Sequence, residues 1–175
     1  MEVNCEIRYA SMDDIHSMGR VYVDTWKAAY QGMIPKEFLD GLTASRWVDS
    51  YRKTLNREGM PKAAVLVLDG QIIGVSSFMQ TRDEDLSENY GEIISLYVLP
   101  EYWRQGFGSR LMGWVTGELK AMGFRHCALW TLEGNLRAQK AYERFGFKKD
   151  GHRKSVEIGG ASVDNIRYRL DLNIF

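Results

Sequence analysis

The chain has 175 residues, 45% of them hydrophobic, with Lys+Arg and Asp+Glu both at 23. That length carries one sizeable core, and one domain over residues 1–175 is the expectation. A formal net charge of zero gives no general electrostatic drive toward nucleic acid or an anionic membrane surface, so neither is expected as a partner.

The opening "MEVNCEIRYA" has neither a basic leader nor an apolar core segment, so a cytoplasmic protein is expected. Within it, "CEIRYA" alternates like a strand. Ser11 followed by Asp14 resembles a capping box. It opens a helix whose stripe is Ile15, Met18, Tyr22, Trp26 and Ala29. That helix should end near Gly32, and "MIPKEFLDGLT" reads as a linker with one short turn. Thr43 is placed to cap a second helix carrying Trp47, Tyr51 and Leu55.

Two β-rich runs then meet at Asp69-Gly70, a dipeptide that tolerates positive φ in a two-residue hairpin turn. The acidic loop "TRDEDLSENY" leads to the strand "EIISLYVL". Next comes a helix with Gly106 and Gly108 at its mouth and Gly123 at its close. "HCALWTL" is a strand, "NLRAQKAYERFGF" a helix running from Asn135 to Gly146, and "VDNIRYRLDL" a final strand. The order is β-α-α-β-β-β-α-β-α-β-β. Cys5 and Cys127 read as free thiols, and the scattered His16, His126 and His152 offer no metal-ligand spacing. No metal is expected.

Glycine costs a helix about 1 kcal/mol against alanine, so two in a first turn need a reason. Unpaired N–H groups at a helix start form a ready anion site. Close helix–sheet packing is the other explanation, and the loop alone does not choose between them. There is no G-x-x-x-x-G-K-[ST], which argues against a P-loop nucleotidase. A dinucleotide-binding unit would need a third glycine where Leu111 stands, although Glu133 falls where a ribose-binding acid would. It would also need a shorter link than Pro100 to Gln105.

Across residues 90–151, "GEIISLYVLPEYWRQGFGSRLM" and "LWTLEGNLRAQKAYERFGFKKDG" resemble the acetyl-CoA-binding core of the GNAT superfamily of N-acetyltransferases. The family loop is Gln/Arg-x-x-Gly-x-Gly/Ala. Gly106 and Gly108 match it, but its first position is Trp103, with Arg104 a candidate for the missing charge. The resemblance implies an α/β (α+β) fold, a mixed, mostly antiparallel twisted sheet flanked by helices, whose splayed strand pair forms the acetyl-CoA slot. Pyrophosphate would meet the main chain of Arg104, Gln105, Gly106, Phe107, Gly108 and Ser109. Leu96, Tyr97 and Val98 would pair with the pantetheine arm like an added strand, and the neighbouring strand through Trp130 would splay away. Asn135 and Ala138 would contact pantetheine, and Tyr142 would sit near the thioester sulfur. Asn135 reads equally as a helix cap and Tyr142 as core.

The implied reaction is acetyl transfer to a primary amine of a small molecule or peptide, by direct attack through a tetrahedral intermediate. Alkyl amines are protonated at neutral pH, so a base is useful. Glu92 matches a glutamate that often serves through water in the family, and it reads equally as an ordinary strand-end carboxylate. Tyr142 would donate its proton or a hydrogen bond to the departing sulfur. Trp26 and Tyr30 would line the acceptor side or pack in the core. The run Asp83, Glu84, Asp85 and Glu88 would attract a cationic amine or simply be solvated, and Trp103, Arg137, Lys140 and Arg144 read as loop filler and a wet helix face, with a basic one of them the alternative contact for the 3′-phosphate of coenzyme A. A homodimer is compatible with the resemblance. The competing reading is an acyl-CoA-binding or regulatory module without turnover.

Overall fold

The computed structural model describes residues 4–174. Seven strands form a single sheet in the order β1-β2-β3-β4-β5-β7-β6. They are β1 (Cys5–Tyr9), β2 (Lys62–Leu68), β3 (Gln71–Gln80), β4 (Tyr90–Val98), β5 (His126–Leu132), β6 (Lys148–Ile158) and β7 (Ala161–Asp171). All neighbours are antiparallel except β4 and β5. The helices are α1 (Ile15–Ala29), α2 (Lys36–Asp40), α3 (Ala44–Leu55), α4 (Phe107–Ala121) and α5 (Leu136–Phe145). None is long and apolar enough to cross a membrane.

Local chemistry sets the element ends. Asp14 accepts the Ser11 N–H at 2.7 Å, and the chain passes through one 3-10 turn into α1. Helix α1 stops at Ala29, three residues short of Gly32. Thr43 precedes α3 as expected, yet its hydroxyl meets the Ser45 hydroxyl and makes no bond to the helix backbone. Asp69 and Gly70 both take positive φ, at 48° and 82°, as the hairpin turn requires. Cys5 and Cys127 are free thiols.

The main core joins Met18 of α1, Ile73 and Phe78 of β3, Leu111 and Leu119 of α4, Leu129 of β5 and Tyr168 of β7. A second cluster of Val23, Ile34, Leu39, Leu42 and Leu132 is packed by Ile158 and Val163. Those two residues come from the β6–β7 hairpin, which therefore leans on the α1–α3 connection.

One irregularity positions the site. Ser77 faces Ser95 while Phe78 faces Ile93, so Ile94 is an extra residue in β4. A bulge bends its strand and increases the local twist. Strands β4 and β5 pair only from Tyr90–His126 to Ile93–Leu129, so the two part at the bulge. The second half of β4 has no partner on that side.

Candidate active site

The gap between β4 and β5 opens into a cleft of about 600 Å³. Its walls are the end of α1, the end of β4, the first turn of α4 with the link before it, the end of β5, and α5. Of the residues expected from sequence, Leu96, Tyr97, Val98, Arg104, Gly106, Gly108, Ser109, Asn135, Ala138, Tyr142 and Tyr30 line it.

The backbone of β4 is suited to an added strand. The Leu99 N–H donates to the Ile73 carbonyl at 2.8 Å, and the antiparallel period of two turns the main-chain groups of Tyr97 toward β3 as well. Those of Leu96 and Val98 face the gap. The Val98 carbonyl is already engaged, by Trp103 Nε1–H at 2.6 Å and the Thr25 hydroxyl at 3.2 Å. A ligand strand is thus left the Leu96 N–H and carbonyl and the Val98 N–H. Tyr97 contributes its side chain to the wall, not its backbone.

At the mouth of α4, Gly106 takes φ +87° as the N-cap, a conformation that disfavours any side chain. Gly108 has ordinary helical geometry, and a Cβ placed on it meets nothing within 4 Å. Close packing against the sheet is therefore not its reason. It lines the cleft, so the open space above it suits a group that does not belong to the chain. Gly117 on the same helix is equally free of neighbours but faces solvent, and nothing in the structure explains it. Two loop side chains turn away from the cleft, leaving only their main chains to the loop: Gln105 Nε2 donates to the Glu101 carbonyl at 2.8 Å. Phe107 directs its ring to the core against Tyr102.

On the facing wall, Asn135 Oδ1 accepts the Ala138 N–H at 3.2 Å, a helix cap that leaves the amide NH2 group for a ligand. Tyr142 packs its ring near Phe147 and Tyr168. Burial raises the pKa of its hydroxyl well above the ordinary phenol value. Burial likewise raises those of Tyr30 and Tyr97. These phenols are protonated at neutral pH, which makes them donors and not bases.

Glu92 requires a correction. It is 2% exposed and does not line the cleft. Arg82 holds it by three bonds: Nη2 to Oε1 at 2.6 Å, Nε to Oε2 at 3.2 Å, and the main-chain N–H to Oε2 at 3.1 Å. A carboxylate fixed by a guanidinium in this way is a structural ion pair and is poorly placed to take an amine proton. Trp26 also moves back from the expected position. It stacks on Tyr22 and meets Tyr30 edge-on, so only Tyr30 reaches the wall.

The acidic loop is not solvated throughout: Asp83 and Asp85 are engaged, while Glu84 and Glu88 are exposed. Arg167, 1% exposed, reaches it from β7 and binds Asp83 at 3.1 Å, Asp85 at 2.6 Å and Asp150 at 2.8 Å. The Arg167 hydrogen bond holds the Asp85 carboxyl down at about 2. Trp130 Nε1–H adds a bond to Asp83 at 2.8 Å. The supposed filler residues also prove to be cleft residues: Trp103, Arg137, Lys140 and Arg144 all line it. Their helical spacing is visible in sequence, but the approach of α5 to the β4–α4 link is not.

A sheet that splits at a bulge, with a glycine-opened helix at the split and an N-capped helix opposite, defines a cleft for an extended ligand with an anionic head. The sequence model described as the Acetyltransferase (GNAT) family matches residues 24–147. A Bacillus subtilis protein named as the uncharacterized N-acetyltransferase YuaI is 30% identical over 132 residues, spanning 74% of this chain and 72% of that protein. The spermidine N(1)-acetyltransferase of Thermoplasma acidophilum is 24% identical over 83% of this chain and 89% of its own length. Among solved folds, the PaiA N-acetyltransferase of Thermoplasma acidophilum, in complex with coenzyme A, superposes with a TM-score of 0.75. It shares 19% identity, covering 96% of this chain and 99% of that one. The chain belongs to the GNAT acetyltransferase family. It is an acyltransferase of the acetyl-CoA-dependent kind, acting on an amine.

Proposed function

We propose that the protein moves the acetyl group of acetyl-CoA to a primary amine of a small molecule or peptide by direct attack. The observation that carries this reading is the pair of unobstructed glycines at the mouth of α4, beside a strand edge left open by the Ile94 bulge. Main-chain N–H groups from Gly106 to Ser109 would hold the pyrophosphate, and Leu96 and Val98 would bond the pantetheine amides. Acetyl-CoA supplies an acyl thioester to this slot.

Among the residues lining the cleft there is no cysteine, in keeping with transfer that does not pass through an enzyme thiol. The amine nitrogen would add to the acyl carbon to form a tetrahedral intermediate, and its collapse would break the carbon–sulfur bond and release the thiolate. Tyr142, protonated and on the wall, would give its proton to the departing sulfur. With Glu92 tied to Arg82, the proton released by the amine would pass to solvent or to a water held by the backbone.

One relative is named for spermidine, but the cleft here is lined by no aspartate or glutamate. Of the acidic loop residues, Asp83 and Asp85 are held by Arg167, which leaves Glu84 and Glu88, outside the cleft lining, to attract a polyamine. An uncharged or anionic amine, or a peptide amine, fits this lining better than a polycation. Thiol release from acetyl-CoA, screened over amino acids, peptides, aminoglycosides and polyamines, tests the proposal. Amine-dependent release with an N-acetylated product supports it. Cofactor binding without release on any amine favours the binding module instead.

A further inference from the structure

The two walls of the cleft touch at one further place. Trp103 belongs to the link between β4 and α4, and its ring is fixed by the Nε1–H bond to Val98. Arg137 belongs to the first turn of α5, across the gap. Its guanidinium carbon lies 3.1 Å from the centre of the Trp103 ring. Stacking on an indole face compensates a guanidinium for part of its lost hydration.

Arg137 is half-buried, and no ion pair among the described residues includes it. Arg8, Arg52, Arg82, Arg153, Arg167 and Arg169 each find a carboxylate, and the other arginines outside the ion pairs, such as Arg20, Arg110 and Arg125, are exposed to solvent where Arg137 is not. Around Arg137 the cleft carries Arg104, Lys140 and Arg144 and no acid. Burial, with Arg104 adding to it, disfavours the charge on Arg137. A cation kept in such a place without an anion is arranged for one that arrives with a ligand.

We propose that Arg137 is a phosphate-binding residue of the cofactor site and that Trp103 is its positioning residue. Trp103 stands where the family loop carries a glutamine or arginine, so the group missing from the loop is supplied from α5 across the cleft. The guanidinium fork would grip phosphate oxygens opposite the main-chain N–H groups of Gly106 to Ser109. This inference rests on the acetyl-CoA reading given above.

Calorimetry on the full chain tests it with coenzyme A, 3′-dephospho-coenzyme A and pantetheine, the last by competition. Arg137→Gln should weaken coenzyme A roughly 10- to 100-fold, the range of a lost charged hydrogen bond, and leave pantetheine within about twofold. Trp103→Phe keeps a ring and should stay within about threefold of the wild type, whereas Trp103→Leu should lose most of what Arg137→Gln loses. The double variant should bind no more weakly than Arg137→Gln alone, because one residue acts through the other. A loss that persists with 3′-dephospho-coenzyme A assigns the diphosphate, and one that disappears assigns the 3′-phosphate; both support a phosphate contact. Wild-type affinity in cooperatively folded Arg137→Gln overturns the proposal, as does an equal loss for coenzyme A and pantetheine. Unaltered coenzyme A affinity with a raised KM for the amine also overturns it, giving the cation to the acceptor. A wild-type protein that binds none of the three compounds defeats the acetyl-CoA reading itself.

Discussion

Gly108 separates folding from binding, and the two should move in opposite directions when it is replaced. It sits in the first turn of α4 with helical geometry, and a Cβ there meets nothing within 4 Å. Gly108→Ala should therefore stabilise the free protein by up to about 1 kcal/mol, the helix cost of glycine. For a chain of this size that is a rise of about 2–4 °C in Tm. Gly108→Val should recover about half of that gain, since a β-branched residue loses χ1 freedom in a helix. Bound pyrophosphate would lie against the same backbone, and a branched side chain would hold it off. Losing one charged main-chain hydrogen bond, about 1.5–3 kcal/mol, weakens binding by about 10- to 150-fold. The assay is thermal unfolding with and without acetyl-CoA. At a hundredfold excess over the wild-type Kd, wild type should gain about 2.7 kcal/mol of apparent stability, and Gly108→Val at the same concentration only about 0.3–1.4 kcal/mol. A folded Gly108→Val protein with the full wild-type ligand shift would refute the reasoning.

Tyr142→Phe should lower kcat by roughly 100-fold, within the range of acid–base assistance, and leave the Kd for acetyl-CoA nearly unchanged. Because burial raises the Tyr142 pKa, the wild-type rate should not fall on the alkaline side below about pH 10, the ordinary phenol value; a fall near pH 8 would point to another donor. Arg167→Met should destabilise the protein by about 3 kcal/mol, at the low end for a broken buried pair because Arg169 still reaches Asp150. The wild-type carboxyls of Asp85 and Asp150 are held below their ordinary values. Their contribution is therefore complete above about pH 4 and lost as the pH falls toward the folded values. In acid titrations the variant should show a weaker loss over that window, and an identical acid limb would contradict the ion-pair account. Glu92→Gln should cost about 1–2 kcal/mol of stability through the lost Arg82 pair while its pH–rate profile keeps the wild-type shape. Recovery of the variant confined to high pH would restore Glu92 as a base.

The parts of the fold legible in the sequence were those set by short-range chemistry. The Ile15–Met18–Tyr22 stripe, the Asp69-Gly70 turn, the Asn135 cap and the glycine-opened helix each follow from spacing or from a φ requirement. That Leu96–Val98 and Asn135–Tyr142 line one cleft was expected only through the resemblance of two segments to the family core, not from local spacing. What could not be read depends on contacts distant in sequence. Arg167 lies 82 positions from Asp85, and no local pattern joins a strand arginine to a loop carboxylate. Glu92 looked like a strand-end acid because its partner, Arg82, lies across the β3–β4 loop. Trp103 read as loop filler, and Arg137 as a wet helix face with a 3′-phosphate contact only as the alternative, because the stack requires α5 and the β4–α4 link to face each other. The Ile94 bulge, which opens the slot, has no glycine or proline to announce it.

Amide hydrogen exchange with and without coenzyme A tests the central claim most directly, because the proposed contacts are main-chain N–H groups at named positions. At saturating coenzyme A, protection should rise at Leu96 and Val98 and from Gly106 to Ser109. The β1–β2 and β6–β7 ladders, already paired in the free protein, should change little. No new protection at those amides in a sample saturated with coenzyme A, or protection centred elsewhere on the sheet, would contradict a cofactor laid along β4.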